Sequence, residues 1–567
     1  MNKGNCSPRR TAVLAAVMAA AALAVPAAAS AAVTGAVTGD TATLTGDAAA
    51  DTIVISVNNG LLQHNLGTAT GFADATDFDS TVPGPQTLTA AAGTLTIDGG
   101  AGDDVVNAGP NVDHLIGGDG NDRLTGFTGD DDVDGGNGND VMIWNNGDGR
   151  DTNDGDAGVD ETLITGRNTT DDMTVANNGA GRVLFSRAAP GAFTVDMAVE
   201  KLSLTPLAGD DKLVTAADVT LPLSVDAGPG IDTITTGAGT DLIQGGDDAD
   251  VLNGGGGGDR IAGDPGNDVM NGGDGDDTLT WKNGDGNDEM NGDAGLDRIE
   301  DNLGAADDVS QLSVVNGKVH YARVNAPFTL DVATSEVFEL NTFGGNDTLD
   351  VAPGVGALIA IQADAGSGDD RLTGGDEADT FFGGLGNDTL APGAGSDAVD
   401  GQDGDDTLLI RDGAADLARG GAGTDTATVD AIDAVGADVE KVDRAKSGVN
   451  ALALRHNAKV TRSKKGRYSA KLVLTCDASA LEGCKGTLSL LTAKTVKIGG
   501  VRVQALLTSA GYSLKPGTTR NVTVKLPSVA KRLAKNRSLK VKAQAIAKDA
   551  AGTVTTKTAN LTLKFPR

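Results

Sequence analysis

Sixteen aspartates return at intervals of nine residues, in three runs, and their spacing is what could do chemistry. The first run is Asp104, Asp113, Asp122, Asp131 and Asp140. The second is Asp232, Asp241, Asp250, Asp259, Asp268 and Asp277; the third is Asp370, Asp379, Asp388, Asp397 and Asp406. Two places after each stands an apolar residue: Val106, Leu115, Leu124, Val133 and Met142, then Ile234, Ile243, Leu252, Ile261, Met270 and Leu279, then Leu372, Phe381, Leu390, Val399 and Leu408. Residues 227 to 280 divide without a gap into AGPGIDTIT, TGAGTDLIQ, GGDDADVLN, GGGGGDRIA, GDPGNDVMN and GGDGDDTLT. Counting places along a unit, aspartate is sixth and the apolar residue eighth, and the fourth place is glycine except at Asn111, Asp248 and Glu377. An unstructured acidic coil would not hold two periods of nine in register, so each unit is one rung of a repeating architecture.

A short carboxylate repeated beside glycines is a set of hard, anionic oxygen donors. Glycine at places two and four lets the backbone pass through positive φ and brings carbonyl oxygens close to a bound ion. Calcium accepts six to eight oxygens in flexible geometry, which a turn offering carbonyls and a carboxylate suits. Magnesium demands a stricter octahedron, and the units hold none of the cysteine or clustered histidine that zinc prefers. The last three places, x-U-x, read as a very short strand with its apolar residue turned inward.

On these residues the sequence resembles the repeats-in-toxin, or hemolysin-type, calcium-binding nonapeptide G-G-x-G-x-D-x-U-x. The resemblance covers roughly a quarter of the chain directly. It implies a parallel β-roll in which two units make one turn, with Ca2+ between stacked loops on each edge and the aspartates of units n and n+2 sharing an ion. The sixteen aspartates are then the metal ligands. Phe127, Asp264 and Gln402 depart from the pattern at place two.

Larger elements must hold these units in place. Trp144-Asn145-Asn146-Gly147-Asp148-Gly149 returns as Trp281-Lys282-Asn283-Gly284-Asp285-Gly286, and each copy leads into a degenerate unit, with Asp160 and Asp297 at place six. A weaker third copy begins at Ile410 and leads to Asp425. Between the blocks lie inserts with alternating apolar residues: Val183, Phe185, Phe193, Val195, Leu202 and Leu204 in one, Val319, Tyr321, Phe328, Leu330, Phe338 and Leu340 in the other, with Glu200 and Glu336 at matching places. The inserts read as broader β-helix rungs stacked on the β-rolls, or else as separate small β-domains. About twenty turns are expected between residues 40 and 443, a rod on the order of 100 Å.

Composition sets the outer limits. The chain has 567 residues and a formal net charge of −34, with 81 glycines and only 3% aromatics, which suits a solenoid needing one or two large apolar residues per rung better than a globular core. Lys3, Arg9 and Arg10 followed by the apolar stretch from Ala12 to Val25 and by Ala29-Ser30-Ala31 read as a signal peptide over residues 1–31. Its removal leaves Cys476 and Cys484, suited to one disulfide. From Arg444 onward the balance inverts, with 26 lysines and arginines against Asp477, Glu482 and Asp549. Strand alternation at Tyr468, Ala470, Leu472, Leu474 and Cys476 predicts a β-sandwich of the immunoglobulin-like kind there. The expected order is therefore signal peptide 1–31, N-terminal β-rich rungs 32–98, β-roll 99–163, insert 164–226, β-roll 227–300, insert 301–364, β-roll 365–443 and basic sandwich 444–567. The fold class is all-β, a parallel β-roll or β-helix solenoid followed by that sandwich.

Catalytic signals are absent from the sequence. The four histidines, His64, His114, His320 and His456, belong to no H-E-x-x-H motif, and no G-x-S-x-G elbow occurs. His114, at place seven, is expected to face solvent. Trp144 and Trp281 are expected to pack over the end of a β-roll. The reading is a secreted, extracellular, non-catalytic calcium-binding protein, structural or surface-associated, whose acidic array folds only when calcium offsets its charge. Its partners are calcium ions and an anionic cell-wall polymer or polysaccharide; nucleic acid and a membrane span are not expected. The alternative is a lyase-like polysaccharide-active enzyme on a β-helix, which would need Arg167, Arg182, Arg187, Lys201, Lys212, Lys318 and Arg323 to converge on one face.

Overall fold

A computed structural model shows what a period of nine does in three dimensions. Thr233 lies beside Val251 and Val251 beside Val269 in parallel register, while Leu242 lies beside Arg260. Each strand thus pairs with the strand two units away, and alternate units feed two opposite sheets, one of 23 strands and one of 18. The result is a parallel β-solenoid of about 17 turns. The described residues are 33–66, 88–188, 191–430, 432–444 and 452–463, several positions between 72 and 80, and the strands and some adjoining residues from 468 to 566. Among them there is no helix, hence none long and apolar enough to cross a membrane. The expected signal peptide, residues 1–31, lies outside them.

The strands of plain rungs are three to six residues long, the shortest being those such as Thr233–Thr235 and Leu242–Gln244, against Val251–Gly256. A strand so short is stable because its middle residue is buried: all sixteen apolar residues at place eight lie in the core, from Val106 to Leu408. Each such burial contributes about 1.5–3 kcal/mol. The flanking places face outward, so charge and polarity collect on the surface without disturbing the core.

The inserts are neither separate domains nor plain rungs. In the larger sheet, Thr152–Asp154 pairs in parallel with Phe193–Ala198, which pairs antiparallel with Arg182–Arg187, and that with Asp172–Gly179, before the parallel ladder resumes at Lys212–Thr215. The second insert repeats this with Asp288–Ala294, Phe328–Ala333, Lys318–Arg323, Val309–Val315 and Thr348–Val351. In the opposite sheet Glu161–Arg167 meets Lys201–Leu207 directly, and Arg298–Asn302 meets Val337–Asn341. Each insert therefore spends about 40 residues on one turn, as the Asp171-to-Asp211 separation shows. That is why there are about 17 turns and not twenty, for a rod of roughly 80 Å at the β-spacing.

Trp144 and Trp281 lie inside the solenoid instead of over its end. Their rings stack on Phe193 and Phe328 with centroids 3.6 and 3.8 Å apart. Each indole N–H donates to the carbonyl of the glycine five residues on, Gly149 at 3.0 Å and Gly286 at 3.1 Å.

The basic segment forms small antiparallel sheets. Leu452–Arg462, Tyr468–Cys476 and Thr519–Leu526 make one; Leu506–Leu514, Cys484–Thr492, Ser538–Lys548 and Val554–Lys564 make another. The two share a core that includes Leu472, Leu474, Leu488, Leu490, Val524, Val541 and Leu563. The side chains of Cys476 and Cys484, and with them the expected disulfide, lie outside the described residues.

Candidate metal centre

The turn before each strand places its aspartate at the edge of the solenoid, and the turns stack. One oxygen of every motif aspartate is used by that stacking. The main-chain N–H of Asp232 donates to Asp250 Oδ1 at 2.7 Å, that of Asp250 to Asp268 at 2.8 Å, that of Asp241 to Asp259 at 2.8 Å and that of Asp259 to Asp277 at 2.7 Å. The same link joins Asp104 to Asp122, Asp122 to Asp140, Asp113 to Asp131, Asp370 to Asp388, Asp388 to Asp406 and Asp379 to Asp397. Two ladders of carboxylates result, one along each edge.

The second oxygen is the informative one. In fourteen of the sixteen, all but Asp113 and Asp379, Oδ2 is buried and accepts no hydrogen bond. A buried, unpartnered carboxylate oxygen is costly, which shows in the acidities. Burial pushes Asp250 and Asp259 up to about 7 and Asp131 up to about 8, with like-charged neighbours adding to the rise and the ladder N–H pulling the other way. Such a carboxylate is stabilised by a proton or by a cation.

The space beside that oxygen is lined by main chain. A methyl group on Gly254 would lie 2.3 Å from Asp259 Oδ2 and 2.6 Å from the Gly272 carbonyl oxygen of the next turn; one on Gly245 would lie 2.5 Å from Asp250 Oδ2 and 2.6 Å from Gly263 O. Carboxylate and carbonyl oxygens from two rungs thus converge where a side chain is missing. Place four is equally close: a methyl on Gly275, at φ +151°, would sit 1.3 Å from the Gly257 carbonyl oxygen. Among the described residues no group of three or more His, Cys, Asp or Glu side chains could hold a metal. A cation here therefore draws on carbonyls for most of its shell, which favours calcium over zinc.

The family model that matches is the RTX calcium-binding nonapeptide repeat (4 copies), over residues 86–113, 108–142, 226–261, 253–280, 363–390 and 393–409. This chain carries RTX repeats. RTX nonapeptide repeats bind Ca2+. No curated protein matches the chain.

Departures from the RTX pattern leave the turn intact. Phe127, Asp264 and Gln402 at place two adopt φ of 63°, 59° and 70°, and Asn111 and Asp248 at place four adopt 94° and 81°. The carbonyl oxygens of Asn111, Asp248 and Glu377 still abut the glycine of the next turn, 1.9 to 2.0 Å from where a methyl on Gly129, Gly266 or Gly395 would be. Asp113 and Asp379 differ in another way, because both their oxygens accept main-chain N–H groups. Leu95 and Gly109 donate to Asp113, and Ile361 and Gly375 to Asp379. His114 faces outward as expected and pairs with Asp132 at 3.0 Å.

The ladders also run beyond the motif. Asp131 continues to Asp151 and Asp268 to Asp288, each 20 residues on, because the tryptophan turns add two residues to the frame. Asp140 and Asp277 continue to Asp160 and Asp297, and Asp211 and Asp347 receive Asp171 and Asp308 and lead on to Asp232 and Asp370. The main-chain N–H groups of Asp160, Asp297 and Asp425 donate to Glu200, Glu336 and Glu440 Oε2. Several of these residues were missed by a search for nonapeptides. Their surviving signal is an aspartate two places before an inward-facing residue, as in Asp211-Lys212-Leu213 and Asp347-Thr348-Leu349.

Proposed function

We propose that this is a secreted, non-catalytic calcium-binding repeat protein whose acidic region, residues 32–443, folds on calcium into a rigid rod with a structural or surface-associated role. The sixteen motif aspartates are its proposed ligands. The observation that carries the reading is the row of buried, unpartnered Oδ2 atoms, which at Asp104, Asp122, Asp250, Asp259, Asp388 and Asp406 lie beside a main-chain carbonyl of the next turn. Cations bound only by the folded chain offset that charge by mass action. The basic and apolar start of the chain supports export, where calcium is abundant.

The order of the antiparallel strands in the basic segment, 444–567, supports an immunoglobulin-like sandwich. The first two strands join the strand Thr519–Leu526 in one sheet, and the remaining long strands form the other. Its 26 lysines and arginines support association with an anionic polymer. Six of the seven side chains a polysaccharide lyase would need, all but Lys212, are engaged elsewhere: Arg167 with Asp171, Arg182 with Asp154 and Asp196, Arg187 with Asp171, Lys201 with Glu161, Lys318 with Glu289 and Arg323 with Asp308.

Calorimetric titration and circular dichroism with and without calcium test the proposal. We expect on the order of ten bound ions with dissociation constants of roughly 10⁻⁴–10⁻³ M, and a gain of β-signal on binding. Absence of binding at millimolar calcium, or a preference for zinc, would refute it.

A further inference from the structure

Along the edge that follows the larger sheet, the ladder of aspartates is broken at two places, one at each insert. Each insert adds two antiparallel strands to the larger sheet, so the turn carrying Asp171 has no ladder turn before it, and neither has the turn carrying Asp308. A cation at either place would lack the oxygens of a preceding rung. Instead, each aspartate meets arginine. The Arg167 side chain donates from Nε at 2.9 Å and Nη2 at 2.6 Å to Asp171 Oδ1, and its main-chain N–H donates to Oδ2 at 3.0 Å. Arg187 brings Nη1 within 3.7 Å of the same Oδ1, lies over the Phe193 ring at 4.5 Å and donates from Nη2 to Asn146 Oδ1 at 3.0 Å. In the second insert Arg323 Nη2 pairs with Asp308 Oδ1, and Nη1 donates to Asn283 Oδ1 at 2.8 Å, while Asp308 Oδ2 accepts no hydrogen bond.

Arg187 and Arg323 are equivalent in position, whereas Arg167 has no counterpart, its place four before Asp308 being Gly304. Asn146 and Asn283 occupy the same place in the two tryptophan turns, and Arg187 and Arg323 each end the middle strand of an insert. Both arginines are 5% exposed and both aspartates fully buried, so the pairs are shielded from solvent. A guanidinium is always charged and cannot be removed by a chelator. The inserts also hold the stacked Trp144–Phe193 and Trp281–Phe328 pairs, which bury more apolar surface than a plain rung does.

We propose that at Asp171 and Asp308 a buried arginine takes the place a calcium ion would hold, making the two inserts calcium-independent sections that remain folded while the RTX blocks open. They then keep the register from which the blocks rewind when calcium returns. The inference rests on the calcium-dependent reading of the blocks, and the experiment separates the two.

Hydrogen exchange by mass spectrometry on the full chain, in calcium and in chelator, is that experiment. In chelator we expect amides in 172–207 and 309–341 to exchange at least roughly tenfold more slowly than those in 227–280 and 365–409. If inserts and blocks lose protection together, the inference is overturned and the calcium-dependent fold stands. If the blocks keep their protection in chelator, the proposed function itself fails. Arg323→Met should remove the chelator protection of 309–341 and leave 172–207 unchanged; no change in 309–341 would also overturn the inference. Should that variant unfold even in calcium, the double variant Asp308→Asn with Arg323→Met removes both charges. It should recover protection if charge balance is the role, and its failure to recover would count against the arginine as a cation.

Discussion

Asp259 offers the sharpest test of how the array works, because two changes at one position separate its two oxygens. Its Oδ1 accepts the Asp241 N–H at 2.8 Å, its own N–H donates to Asp277 Oδ1 at 2.7 Å, and its Oδ2 is buried without a partner. Asp259→Asn keeps an acceptor for the Asp241 N–H and removes the charge; Asp259→Ala removes both. In chelator at pH 8 the wild-type carboxylate is ionised although burial has raised it to about 7, so the asparagine variant should be the more stable, by about 1–4 kcal/mol. In saturating calcium the order reverses. The two ions proposed to be shared with Asp241 and Asp277 are weakened, and each is worth about 2.7 kcal/mol at one hundred times its dissociation constant, so a loss of roughly 5 kcal/mol is expected. Alanine should cost a further 1–3 kcal/mol, roughly, in both conditions, from the N–H left unpaired. Far-UV circular dichroism, following urea unfolding in calcium and osmolyte-driven folding in chelator, gives all six values. An asparagine variant as stable as wild type in calcium, or less stable than wild type in chelator, would refute the assignment of Oδ2 to the ion.

Three further outcomes are expected. Without calcium, the folded chain holds protons more tightly than the unfolded one at Asp104, Asp131, Asp250 and Asp259, whose acidities burial raises to about 7 or 8 from 3.8. Their contribution is therefore fully present below pH 3.8 and is lost as the pH climbs through about 7 to 8; circular dichroism of the chelated protein should show structure at pH 4 that fades by pH 8, and a fold that strengthens with pH would be contrary evidence. Gly275→Ala places a methyl 1.3 Å from the Gly257 carbonyl oxygen, whereas Gly284→Ala, also at positive φ, meets nothing within 4 Å. Calcium titrations should show the first needing much more calcium to fold and the second shifted only slightly, by about 1 kcal/mol of backbone strain. The basic segment should hold the protein on purified cell envelopes at low salt and release it at high salt, since exposed charges are screened beyond about 10 Å at 0.1 M; retention that ignores salt would remove electrostatics as its basis.

The period of nine determined most of the architecture. A unit with one inward apolar residue and one aspartate repeats as a rung, so the burial of Ile234 and Leu252 follows from local pattern, while the pairing of Asp232 with Asp250, two units on, was what the family resemblance implied. The chemistry of the turn was legible for the same reason: glycine beside a short acid has few other uses at that spacing. What depends on distant residues was not legible. Asp151 and Asp288 fall out of frame because Trp144 and Trp281 each begin a longer turn, and only the stacked sheets show that they rejoin the ladder. Likewise, nothing in the spacing of Arg187 or Arg323 tells that they end strands folded back against Asp171 and Asp308. Antiparallel pairing brings together residues whose separation along the chain has no period, and the sign of the charge beside each aspartate is set by that pairing, which only the tertiary structure decides.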